Sequence, residues 1–170
     1  MLVLANPAPA PAESALTEVD YRRVNESLVE HHVLPRYRVL AETASALDEV
    51  AAGYCRSPQT AQLEPVRRAF GRTLDAWMGV QHLRFGPVEL FMRSYRLYFW
   101  PQGRGKIAQA VAGLVAEGDP AALEEERFRN ASTAVQGLPA AEMLIYGPHL
   151  RKPESRAYAC RLLTRITAGL

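Results

Sequence analysis

The fold is most tightly restricted by the spacing of apolar side chains between Glu18 and Tyr54. Val24, Leu28, His31, Leu34, Tyr37, Leu40, Ala44, Leu47, Ala51 and Tyr54 follow one another at intervals of three and four. Such steps keep side chains on one face of an α-helix, so the segment reads as a long amphipathic helix. Pro35 falls inside it and lacks an amide donor, which predicts a kink or short break near residues 32–35. Nowhere do apolar and polar residues alternate in the manner of a half-buried strand. The predicted fold class is therefore all-α, an antiparallel helical bundle with loops joining neighbours.

Glycine and proline set the remaining boundaries. Gly53 and Ser57-Pro58 close the first element, with Ser57 suited to cap the next helix and Pro58 to its first turn. Leu63, Val66, Phe70, Leu74, Trp77 and Gln81 mark that second helix, expected to stop at Gly86-Pro87. Residues 88–100 read as one short helix, or as helix and loop, before a turn at Pro101-Gln102-Gly103. Further helices are predicted from Gly105 to Ala116, from Ser132 to Tyr146 with interruptions at Gly137 and Pro139, and from Pro153 onward. Residues 17–170 make one helical-bundle domain, large enough to bury a core.

The opening MLVLANPAPAPAES differs in composition from everything after it. Alternating proline and alanine favour an extended tether, and the small residues look like the tail of an export signal. Residues 1–16 are thus read as a disordered tether or an export-signal remnant. No run of 18 apolar residues occurs, so no membrane-spanning helix is encoded. A net charge of +2 weighs against a general nucleic-acid binder. Cys55 and Cys160 are the two cysteines, and the export-like start favours a disulfide between them over two buried thiols.

The chemically densest stretch is QHLRFGPVELFMRSYRLYFW, residues 81–100. Phe85, Phe91, Tyr95, Tyr98, Phe99 and Trp100 lie here among Arg84, Arg93 and Arg96, with Arg104 and Lys106 just beyond and Glu89 the lone acid. Two readings compete. In one, guanidinium groups lie over rings or clamp an anion. In the other, Glu89 pairs with Arg93 at helical spacing and the rings fill the core. His82 reads either as a packing residue or as a ligand beside the Gly-Pro break. His31 and His32 are adjacent, so on a helix they diverge, and one of them at most faces the core. His149 sits in a Gly-Pro turn. No zinc-protease helix, nucleophile elbow, phosphate-binding glycine loop or paired-cysteine motif is present, so no catalytic residue is nominated.

Three blocks carry a family resemblance. Asp75, Trp77, Gln81, His82, Arg84, Gly86, Pro87 and Glu89 form the first. The aromatic and basic stretch ending in Phe99-Trp100-Pro101 is the second, and GLPAAEMLIYG, residues 137–147, is the third. Together they make the chain resemble the imelysin family, bacterial envelope proteins also called peptidase M75-like. The resemblance implies two helical bundles, of which this chain is the N-terminal half and is truncated at its C-terminus. It further implies export to the periplasm or envelope and a non-catalytic binding or accessory role in iron acquisition. Envelope iron-transport components are then the implied partners, and iron or another divalent metal the implied ligand. A metal-dependent peptidase and a structural helical domain without a ligand are the alternatives.

On this resemblance the ligand-binding candidates are Trp77, His82, Arg84, Glu89, Arg96, Trp100 and Glu142. The family's glycine-x-histidine-x-x-glutamate motif falls on Gly137 and Glu142, but its histidine position is Pro139. Proline offers no ligand atom, which leaves His82 and Glu142 as the metal candidates. Glu142 stands among Leu138, Met143 and Ile145, where a buried carboxylate would need a partner. A contact with an arginine of residues 84–104 is expected, Arg84 first.

Overall fold

The computed structural model describes residues 16–58, 63–101, 103 and 105–170. The expected tether therefore lies, apart from Leu16, outside the described residues. Helix α1 (Glu18–Leu28) opens on a capping box: Asp20 N–H donates to Thr17 Oγ1 at 3.3 Å and Thr17 N–H to Asp20 Oδ2 at 3.0 Å. The hydrogen bonds from the Thr17 side chain and backbone hold the Asp20 carboxyl below the usual carboxylate range.

The break near Pro35 takes a specific form. Residues Val29–Val33 make a π-helical turn, in which Leu34 N–H reaches back to Val29 O, and α2 (Leu34–Arg56) continues from there. Pro35 comes two residues after the π turn, so its missing amide falls where the regular helical ladder is already interrupted. The wider turn adds one residue and rotates everything before it relative to the stripe on α2.

α2 buries Leu40, Ala44, Leu47, Ala51 and Tyr54, the later part of the stripe read from the sequence, whereas Leu34 at its start is exposed and Tyr37 half-buried. It runs antiparallel to α3 (Leu63–Val80), which buries Leu63, Val66, Ala69, Phe70, Thr73, Trp77 and Val80. The direction is set by cross-helix contacts: Thr73 Oγ1 donates to Thr43 O at 2.9 Å, and Tyr37 Oη to Leu83 O at 3.2 Å. On its other side α2 meets α8 (Pro153–Thr167), also antiparallel, through Thr167 Oγ1 to Asp48 Oδ1 at 2.6 Å and the Cys55–Cys160 disulfide. Helix α7 (Gly137–Tyr146) lies in the middle, against α3, α8 and α5 (Lys106–Glu117), and buries Leu138, Ala140, Ala141, Leu144 and Ile145.

Between these elements lie α4 (Arg93–Leu97) and α6 (Glu125–Arg129). The described residues contain no strand. Among the described residues no helix is long and apolar enough to cross a membrane.

Two boundaries differ from the sequence reading. α3 stops at Val80, well before Gly86, because Leu83 turns its carbonyl toward the Tyr37 hydroxyl of α2 and Phe85 is extended. Residues 132–146 are not one interrupted helix. A short 3-10 turn, Thr133–Val135, precedes α7, which begins at Gly137 and so places Pro139 within its first turn. After Glu124, Glu125 and Glu126 open α6, in which Phe128 is buried.

Candidate functional site

Residues from three parts of the chain meet where the start of α2 passes the end of α3. Trp77 is buried in the last turns of α3, its indole stacked at a tilt on Tyr98 with ring centroids 6.2 Å apart. Its Nε1–H finds no acceptor among the described residues. One turn on, His82 Nε2 lies 3.2 Å from His32 Nε2, which comes from the π turn. Arg36 donates from Nε to His32 Nδ1 at 3.2 Å and from a terminal nitrogen to Gly79 O, also at 3.2 Å. Guanidinium can only donate, so Nδ1 of His32 is the acceptor. The His32 proton therefore sits on Nε2 and is directed at His82.

The segment after His82 is irregular. Gly86 takes φ +71°, and 3-10 turns at Gly86–Val88 and Leu90–Met92 lead into α4. Phe91 and Met92 both have φ near +56° to +57°, the left-handed region that side-chain-bearing residues seldom occupy. Glu89 accepts from Ser94 Oγ at 3.1 Å instead of pairing with Arg93, whose guanidinium lies 5.9 Å over the exposed Phe91 ring. Both sequence readings are thus partly realised. Phe99 is core, with Tyr95 edge-on at 4.9 Å and Lys106 Nζ 5.6 Å above it, whereas Phe85, Phe91 and Trp100 face solvent.

Gly137 anchors this segment to the bundle. A Cβ at that position would meet Leu97 O at 2.5 Å and also run into Arg96 O, and the residue holds φ +71°. Only a glycine lets the start of α7 approach the carbonyl end of α4 so closely.

A family model, imelysin (peptidase M75), matches residues 33–170. The chain belongs to the imelysin family. An imelysin-like protein from Psychrobacter arcticum 273-4, solved by crystallography, has the same fold with a TM-score of 0.80 at 23% identity. That alignment covers 91% of this chain and 48% of the other, so the chain spans about half the length of that relative. No curated protein matches it.

Within this imelysin chain the predicted site residues separate into two groups. Trp77, His82, Glu89 and Arg96 lie along the end of α3 and the segment packed beside it, with Arg96 half-buried. Arg84, Trp100 and Glu142 stand apart from that cluster, and they face solvent as His82 and Glu89 also do. The expected Glu142–arginine contact is absent among the described residues: Glu142 takes part in none of their ion pairs, and Arg84 is likewise unpaired there. The physical reason is the register of α7. Leu138, Ala141, Leu144 and Ile145 point inward, which turns Glu142 outward, so no desolvation cost needs offsetting.

Pro139 is buried and Glu142 exposed, so the two imelysin motif positions do not converge on a common point. These residues do not fit a metal held by the family's histidine and glutamate. No group of three or more His, Cys, Asp and Glu side chains converges among the described residues. Two surface depressions are lined by other residues, one by Gln109, Gly113 and Arg127, another by Tyr146, Arg151 and Glu154.

The sequence reading missed His32, Arg36 and Tyr37 as site residues. It placed His31 on the apolar stripe, but the π turn rotates the register so that His32 faces α3 and His31 faces solvent, with Nδ1 3.1 Å from Ser27 O. A proline three residues after a histidine pair was the one signal, and it predicts a break without giving its direction.

Proposed function

We propose that the chain acts without catalysis, as a binding or accessory component of an envelope system that acquires iron, placed in the periplasm or on the envelope. The observation that carries this reading is Pro139. Buried in the core of α7, it fills with apolar packing the position where a peptidase-like metal site would need a histidine. The Cys55–Cys160 disulfide supports an oxidising compartment, since such bonds persist outside the reducing cytosol. Exposed Phe85, Phe91 and Trp100 beside Arg84 and Arg93 offer an aromatic and cationic surface suited to contact with a partner or an anionic ligand.

Elemental analysis of protein purified from its own host, together with iron titration of the metal-free chain followed by tryptophan fluorescence, tests this. Bound iron or a saturable iron-dependent change is expected. Absence of both defeats the iron-linked role. Metal-dependent hydrolysis of a protein substrate, abolished by a chelator, overturns the non-catalytic reading.

A further inference from the structure

We infer that His32 and His82 form a two-histidine clip for a late first-row divalent cation such as Zn²⁺ or Ni²⁺, with Arg36 setting its affinity. This cation site is additional to the iron-linked role proposed above and does not depend on it.

The separation of the two rings suits a shared ion. Two imidazole nitrogens on one zinc, each at about 2.0–2.1 Å, are separated by about 3.3 Å in a tetrahedral site. The two Nε2 atoms stand 3.2 Å apart. Ring centroids 5.5 Å apart place the rings nearly end to end. Each ring must therefore tilt by about 35° to aim both lone pairs at one tetrahedral ion. Neither ring is buried, so that tilt is open to both.

The backbone also brings the two rings together. His32 reaches His82 because a π turn inserts one residue ahead of α2, and such turns recur at functional positions. Without it the stripe would present His31. Donor chemistry narrows the metal class: imidazole suits zinc, copper, iron and nickel, zinc and nickel serving as the probes, and both cysteines are consumed in the disulfide. With two protein ligands the remaining positions go to water or to a ligand of the bound ion.

Arg36 sets the cost. A histidine that binds metal through Nε2 carries its proton on Nδ1 and donates it to an acceptor. Here Nδ1 of His32 instead accepts from Arg36. Loading the clip therefore moves the His32 proton from Nε2 to Nδ1 through solvent, with no net proton lost, and requires the guanidinium to swing off. Arg36 is a positioning residue that favours the empty clip.

The test is isothermal titration of the metal-free chain with Zn²⁺ alone and with Ni²⁺ alone. Saturable one-to-one binding is expected, lost in both His32→Gln and His82→Gln and retained in His31→Gln and His149→Gln. Arg36→Gln, which supplies a carbonyl acceptor for Nδ1–H, should tighten binding by about tenfold. Circular dichroism of each variant separates lost binding from lost fold. No binding by the parent chain, or binding that survives both His32→Gln and His82→Gln in folded protein, overturns the clip. Failure of the iron titration with the clip intact would instead remove the iron-linked role and leave this site standing.

Discussion

Gly137 and Gly113 show how differently two glycines act in one chain. At Gly137 a methyl group would strike the carbonyls of Arg96 and Leu97, and the backbone sits at φ +71°. Left-handed backbone alone costs a residue with a Cβ about 1–2 kcal/mol, before any steric term. Gly137→Ala should therefore destabilise by about 2 kcal/mol or more. Gly113 lies within α5, and a methyl group there would have no atom within 4 Å, so Gly113→Ala should stabilise by about 0.4–1 kcal/mol. Urea unfolding of the two variants against the parent measures both, and equal effects would refute the packing role of Gly137. Glu142 gives the opposite lesson at the same scale: its apolar neighbours in sequence suggested burial, and helix register turned it to water.

Among the elements, α1 and α2 are continuous in backbone yet unequal in packing. No residue of α1 is buried, and Tyr21, Val24 and Leu28 expose their apolar surface. α2 by contrast buries Leu47 and Ala51 completely. Leu28→Ala should therefore change stability by less than about 0.5 kcal/mol, whereas Leu47→Ala should cost about 2–5 kcal/mol. Native-state hydrogen exchange should find the α1 amides opening at far lower free energy than those of α2. Protection of α1 equal to that of α2 would mean that its apolar face is covered in solution.

Loops are tied to helices by tyrosines. Tyr37 Oη donates to Leu83 O, Tyr54 Oη to Leu150 O at 3.5 Å, and Tyr158 Oη to Asp119 O at 2.9 Å. Burial pushes all three phenols above their ordinary value, with Glu89 adding to the effect at Tyr37 and Asp119 at Tyr158. The unfolded chain then loses these protons first, at about pH 10. Their contribution is complete below that pH and disappears as pH rises through the higher folded values. Stability should fall in alkaline solution above about pH 10, and the fall should be shallower in the Tyr37→Phe, Tyr54→Phe, Tyr158→Phe triple variant. An unchanged slope there would sink the assignment.

For the whole molecule, the disulfide spans a sequence separation of 105 residues and joins the end of α2 to α8. Chain-entropy arguments give such a closure about 4–5 kcal/mol of stabilisation. The Cys55→Ser, Cys160→Ser double variant should lose a comparable amount in urea unfolding, and two free thiols in the denatured, unreduced parent would show that the bond does not form.

The helical period and the absence of strand alternation were enough, from the sequence, to specify an all-α bundle, because burial of one face per helix leaves few alternatives. The later part of the stripe on α2 and most α3 core positions were legible for the same reason, since each depends on local spacing, whereas the cysteine pair was inferred from the export-like start. Which histidine faces α3 was not legible, since it depends on one extra residue in a π turn that only packing against α3 selects. Nor was the early end of α3, which a hydroxyl from another helix decides. The outward turn of Glu142 and the inward burial of Pro139 depend on how α7 is rotated among three neighbours. A sequence records which side chains prefer to be buried, and only the assembled helices determine which of them meet.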